Sequence, residues 1–88
     1  MKKKLYIIGS GGHCRPISEC AVALGYSIQY IIDLNKKVFK QNENIFGITV
    51  KPYNQIKNIH KGSQVFLAIG DNQIRTKLFK MYENEFNF

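Results

Sequence analysis

The stretch Tyr6-Ile7-Ile8-Gly9-Ser10-Gly11-Gly12-His13 decides how this chain is read. An apolar run ends in three glycines, a serine and a histidine, and a helical pattern follows at once. Glycines at that point let the backbone turn sharply out of a strand and approach a ligand with no Cβ in the way. The free N–H groups at the start of the following helix make a seat for a phosphate or other anion. The first structural event in the chain is therefore also its first candidate binding site.

Working outward, Leu5–Ile8 reads as a short apolar strand. Pro16 suits a first helical turn, where its missing N–H costs nothing. Ile17, Cys20, Ala21 and Leu24 recur at helical spacing, and Gly25 sits where a left-handed stop belongs. Ser27–Asp33 (SIQYIID) is rich in strand formers and ends in an acid. Strand, glycine loop, helix and strand make a βαβ unit, expected to cross over right-handedly.

The polar stretch Asn35–Asn44 reads as a loop, Ile45–Val50 (IFGITV) as one short extended piece, and Pro52–Ile59 as a short helix with Tyr53, Ile56 and Ile59 inward. Gly62-Ser63 is a turn. Val65–Ile69 (VFLAI) has no polar residue, the mark of a parallel strand buried on both faces. Asp71 or Asn72 can cap the helix that follows, whose inner face is Ile74, Leu78, Met81 and Tyr82. Phe86 and Phe88 alternate with Asn87 as at the start of another strand. The expected architecture is α/β: a Rossmann-like parallel sheet with flanking helices and a βαβ start, in a single small domain. A three-strand sheet with that edge open is poor engineering, so a fragment of a larger protein is expected.

The 88 residues suffice for one domain. A chain this short buries only about 60–65% of its unfolded surface, so the core is small. The apolar run after Lys2–Lys4 is too short for a signal peptide, and none reaches the roughly 18–20 residues of a membrane span. A soluble, cytoplasmic protein is the expectation. Cys14 and Cys20 form no C-x-x-C pair and have no zinc-type histidine partners, so reduced packing thiols and no metal are expected. The net charge of +7 comes from scattered lysines, which favours solvation over a nucleic-acid face.

In open α/β sheets a ligand lies beyond the carboxyl ends of the strands, where strand order reverses. If the first strand lies between the second and the third, Gly9–His13 and Gly70–Asn72 bound that crevice and Asp33 closes its rim. The dinucleotide fingerprint is only half matched: Gly9-Ser10-Gly11 fits, but Cys14 stands at the third glycine position.

The G-x-G-G-H loop instead resembles the NeuD/PglD family of bacterial sugar acyltransferases. The stretch YIIGSGGHCRPISECAVALGYSIQYIID follows that family's opening, and Ala68-Ile69-Gly70-Asp71-Asn72-Gln73-Ile74-Arg75 matches its A-I-G-[DN]-N-x-x-R segment. The resemblance covers essentially all 88 residues. It implies an N-terminal nucleotide-sugar-binding domain acting on a UDP- or CMP-linked amino sugar or sialic-acid-like sugar. In such enzymes a left-handed β-helix follows, forms homotrimers, and carries the acetyl-CoA site and the histidine general base. No hexapeptide repeat of that β-helix occurs in this sequence, so neither His13 nor His60 takes the catalytic role, and whether the chain alone is an enzyme stays open. Cell-surface glycan biosynthesis is the implied context. Cys14, Pro16 and Leu34 depart from the family pattern, the last standing where a second acid is common.

Each candidate also has a plainer role. Gly9, Gly11 and Gly12 serve ligand approach or a tight turn; Ser10 binds an oxygen or caps that turn; His13 contacts substrate or holds the loop. Asp33 accepts from a ribose or base, or ends its strand. Gly70, Asp71 and Asn72 face a nucleobase or ribose, or start a helix. Arg75, one turn into that helix, reaches a phosphate or lies solvated. Arg15 and His60 read as surface residues. The rival functions are an NAD(P)- or nucleotide-binding regulatory module and a structural domain that has lost its ligand.

Overall fold

The computed structural model describes residues 3–9, 14–34, 43–45 and 47–88. In chain order the elements are β1 (Lys3–Ile8), α1 (Cys14–Ala23), β2 (Tyr26–Asp33), β3 (Glu43–Ile45), β4 (Ile48–Pro52), a 3-10 helix (Tyr53–Asn58), β5 (Val65–Leu67) and α2 (Asn72–Tyr82). They form one five-stranded sheet in the order β3-β4-β2-β1-β5. The four strands β4, β2, β1 and β5 run parallel, and β3 is antiparallel at the edge. This is the expected α/β architecture, with β1 between β2 and β5.

The sheet separates two apolar layers. On the α1 side Leu5, Ile7, Ile31, Val50 and Ala68 pack with Ala21. On the other side Ile8, Ile32 and Val65 pack with Ile56, Ile59 and Phe86, joined by Leu78 and Tyr82 of α2. Strand side chains alternate between faces, so Ile7 and Ile8, both fully buried, feed opposite layers. In β2 the alternation is interrupted. Leu5 pairs with Ile28 but Ile7 with Ile31, so β2 carries one extra residue there. That bulge brings Ile28 and Ile31 to the same face, and the Gln29 side-chain amide donates back to the Ser27 carbonyl at 3.1 Å beside it.

Several expectations are corrected. Glu43 and Asn44 belong to β3 rather than a loop, while residues 35–42 lie outside the described residues. The stretch expected as a single extended piece turns back on itself: Ile45 pairs with Ile48, and Gly47 at φ +74° makes the turn. The hairpin adds β4 in parallel to β2, giving four parallel strands where three were read. The short helix before β5 is a 3-10 helix that buries Ile56, with Ile59 buried just beyond it, but Tyr53 is exposed.

The helix faces also shift. Ser18 is buried on α1 beside Ala21, so small residues bring the helix close to the sheet, and Cys20 points to solvent rather than packing. Leu24 is 72% exposed because α1 stops at Ala23 and the chain turns through Gly25 at φ +90°. The side chain of Cys14 lies outside the described residues. On α2, Leu78 and Tyr82 face the core, whereas Ile74 and Met81 are exposed. β5, read from the sequence as the third strand, is shorter than Val65–Ile69 and not buried on both faces. Phe66 is 46% exposed, because α1 packs on the β2 side of the sheet and leaves β5 open there.

Candidate functional site

The crevice at the carboxyl ends of the strands is built on main-chain hydrogen bonds. The Gly9 N–H donates to the Ile32 carbonyl at 2.8 Å, and the Ala68 N–H donates to the Ile8 carbonyl at 2.8 Å. The ends of β2, β1 and β5 are thereby stitched together at one level. Gly9 is buried with φ +113°, and a Cβ built on it would stand 2.4 Å from the Ala68 carbonyl oxygen. Its need for glycine is met inside the protein, by the approach of β5's end, before any ligand is considered.

Asp33 closes β2 on the same rim and is 9% exposed. Pro52, the last residue of β4, is its partner in the register. On the far side Asp71 is the N-cap of α2: its Oδ1 accepts from the Gln73 N–H at 2.9 Å and the Ile74 N–H at 3.0 Å. The cap expected at Asp71 or Asn72 is therefore Asp71. That frees Asn72 for a different partner. Its Oδ1 accepts from the Arg75 guanidinium, which also reaches back to the Ile69 carbonyl at 3.5 Å. With Oδ1 engaged, the Asn72 amide nitrogen still has donors to offer, and the Arg75 guanidinium has N–H groups beyond these two bonds. Gly70, between Ile69 and the cap, is exposed.

The structure thus brings Gly9, Asp33, Gly70, Asp71, Asn72 and Arg75 to the carboxyl ends of the strands. Ser10, Gly11, Gly12 and His13 lie outside the described residues, as does the Arg15 side chain. His60 is exposed in the turn leading into β5, at the opposite end of that strand.

Sequence reasoning missed the carbonyls of Ala68 and Ile69, which carry no side-chain signal. It also missed an aromatic group spanning β1, β2 and β4: Tyr6 and Tyr30 meet edge to face with ring centroids 4.8 Å apart, and the Lys51 Nζ lies 4.3 Å from the Tyr30 ring centroid. The Tyr30 phenol is pushed up to about 12, first by burial and second by Tyr6. A phenol harder to ionise when folded contributes stability that is complete below pH 10 and lost as pH rises towards 12. Tyr30 is only half-buried, so solvent screening leaves about 1 kcal/mol at most. Denaturation midpoints measured across that window should fall for the wild type, and Tyr30→Phe should remove part of the fall.

Among the described residues no group of three His, Cys, Asp or Glu side chains is placed to hold a metal ion, and no helix is long and apolar enough to cross a membrane. The model of the family described as "PglD N-terminal domain" matches residues 4–82. The chain belongs to the PglD N-terminal domain family. The matched span runs from β1 through α2 and takes in every element of the crevice. No curated protein and no solved structure gives a match. Membership makes this an acetyltransferase-associated N-terminal domain of the NeuD/PglD type.

Proposed function

We propose that the crevice holds the nucleotide-activated sugar of an acetyl-CoA-dependent acetyltransferase, positioning it for chemistry performed by another domain. The observation that carries this reading is the convergence of β2, β1 and β5 on Gly9, with α2 starting at the same rim. β1 lies where strand order reverses, the position at which α/β sheets hold nucleotides. Arg75 supplies a cation for a phosphate, the Asn72 amide supplies donors, and Asp33 supplies an acceptor for a ribose hydroxyl or base N–H. Ser10, Gly11, Gly12 and His13 complete the ligand loop in this reading.

The substrate is a UDP- or CMP-linked amino sugar or sialic-acid-like sugar, in cytoplasmic steps of bacterial glycan biosynthesis. Acetyl-CoA and the catalytic base belong to a trimeric β-helix in the whole enzyme. The test is calorimetric titration of this chain with UDP and CMP, with NADH and acetyl-CoA alongside. One of the first two should bind, and Asn72→Ala should weaken it by about tenfold, the worth of one or two hydrogen bonds. Binding of NADH without UDP or CMP would make the domain a dinucleotide module and overturn the proposal.

A further inference from the structure

No residue of α2 is buried. Leu78 and Tyr82 turn towards the sheet and are half-covered, and the rest of the helix stands in solvent. Two large apolar side chains on it lie open, Ile74 at 47% and Met81 at 57% exposed. With Lys77 between them they stand at i, i+3 and i+7, so the three form one stripe along the helix. Lys80 follows Lys77 at i+3, on the side of the stripe away from Leu78 and Tyr82.

Single exposed apolar residues need no explanation, but these two are set among charges of one sign. α2 carries Arg75, Lys77 and Lys80 and no acid. The 3-10 helix, packed on the same side of the sheet through Ile56, adds Lys57 and also has no acid. The nearest acids in sequence bracket α2: Asp71, whose Oδ1 is taken up by the cap, and Glu83 beyond the last turn. The opposite side of the sheet lacks this combination. Val22 on α1 is 53% exposed, but that helix carries one arginine and one glutamate, which cancel.

We propose that the outer surface of α2 docks on an anionic lipid bilayer. Ile74 and Met81 enter the boundary between headgroups and acyl chains, and Lys77 and Lys80 lie among the headgroups. Interfacial helices combine buried apolar side chains with cations in this way, and either signal alone holds weakly. The lysine stems follow the apolar stripe inward while their ammonium groups stay with the phosphates. Aliphatic Ile74 and flexible Met81 favour lipid over single-stranded nucleic acid, whose bases stack on aromatic rings. α2 begins at the crevice rim with the Asp71 cap, so docking sets that rim close to the lipid surface, whatever ligand the crevice holds.

The test is co-sedimentation of the chain with phosphatidylcholine vesicles, with and without phosphatidylserine. Partition should require the anionic lipid and fall steeply with salt, as the Debye length shrinks from about 10 Å at 0.1 M to about 3 Å at 1 M. Each lysine near such a surface is worth about fivefold, so Lys77→Gln with Lys80→Gln should lower partition by about twenty- to thirtyfold. Lys3→Gln with Lys4→Gln, at the amino end of β1, should lower it by less than about fivefold. Ile74→Ser with Met81→Ser should weaken it by about tenfold with Tm unchanged, because both side chains are exposed in the folded chain. The sequence has no tryptophan, so Met81→Trp reports depth: its emission should shift to the blue on anionic vesicles and be quenched by brominated acyl chains. Equal losses from the two lysine pairs would reduce the binding to net charge and overturn the proposal. So would unshifted emission, absence of partition onto phosphatidylserine vesicles, or binding of a single-stranded oligonucleotide in their place.

Discussion

Gly9→Ala is expected to lower Tm by roughly 12–24 °C, the equivalent of about 3 kcal/mol in a domain of this size. Two costs combine. The φ of +113° is one that residues with a Cβ rarely adopt, and the new Cβ would lie 2.4 Å from the Ala68 carbonyl oxygen. The obstacle is backbone at the end of β5, not the tip of a flexible side chain, so relief requires β1 and β5 to part. The hydrogen bonds from Gly9 to Ile32 and from Ala68 to Ile8 sit at that joint and would be strained with it. Gly25→Ala is the control, since its φ is +90° but nothing lies within 4 Å of its added Cβ. That variant should lose only about 1 kcal/mol. Equal losses in thermal melts of the two would refute the close approach as the reason for glycine at position 9.

Phe86→Ala should cost about 3–5 kcal/mol, the usual penalty for emptying a buried phenylalanine site. Phe86 is 5% exposed, stacks on Tyr82 with ring centroids 5.4 Å apart, and packs in the layer that holds Ile8, Ile32 and Val65. The residue that follows it is hydrogen-bonded to β5, so the cavity would open next to a sheet edge that depends on it. Phe88→Ala, at a more exposed ring, should cost about 1 kcal/mol or less. Urea denaturation of the two variants separates these values. If Phe86→Ala were as mild as Phe88→Ala, the segment after α2 would not be part of the core.

The strand–helix–strand opening was legible because each described part has a local cause: an apolar run, a proline in the first turn and a left-handed Gly25. A cap at Asp71 or Asn72 was legible for the same reason, though which of the two was not. The β3–β4 hairpin was not, because IFGITV reads as one extended piece unless Gly47 is known to take a positive φ. The face of α1 was misjudged because helical spacing ranks Leu24 above Ser18, while close packing on the sheet favours the smaller side chain. The bulge in β2 depends on how that strand meets β1, and no periodicity within Ser27–Asp33 records it. At the crevice, the residue types stood out in the sequence but their partners did not. That Gly9 answers to Ala68, and Asn72 to Arg75, is a matter of tertiary approach.

Because the crevice floor is held by peptide groups of Gly9, Ile32, Ile8 and Ala68, its shape depends little on the identity of the side chains around the rim. Rim residues such as Asn72 and Arg75 are exposed and contribute little to the apolar layers. They can therefore be exchanged at small cost to folding, while the glycine beneath them stays fixed. The domain separates what must be kept from what is free to diverge.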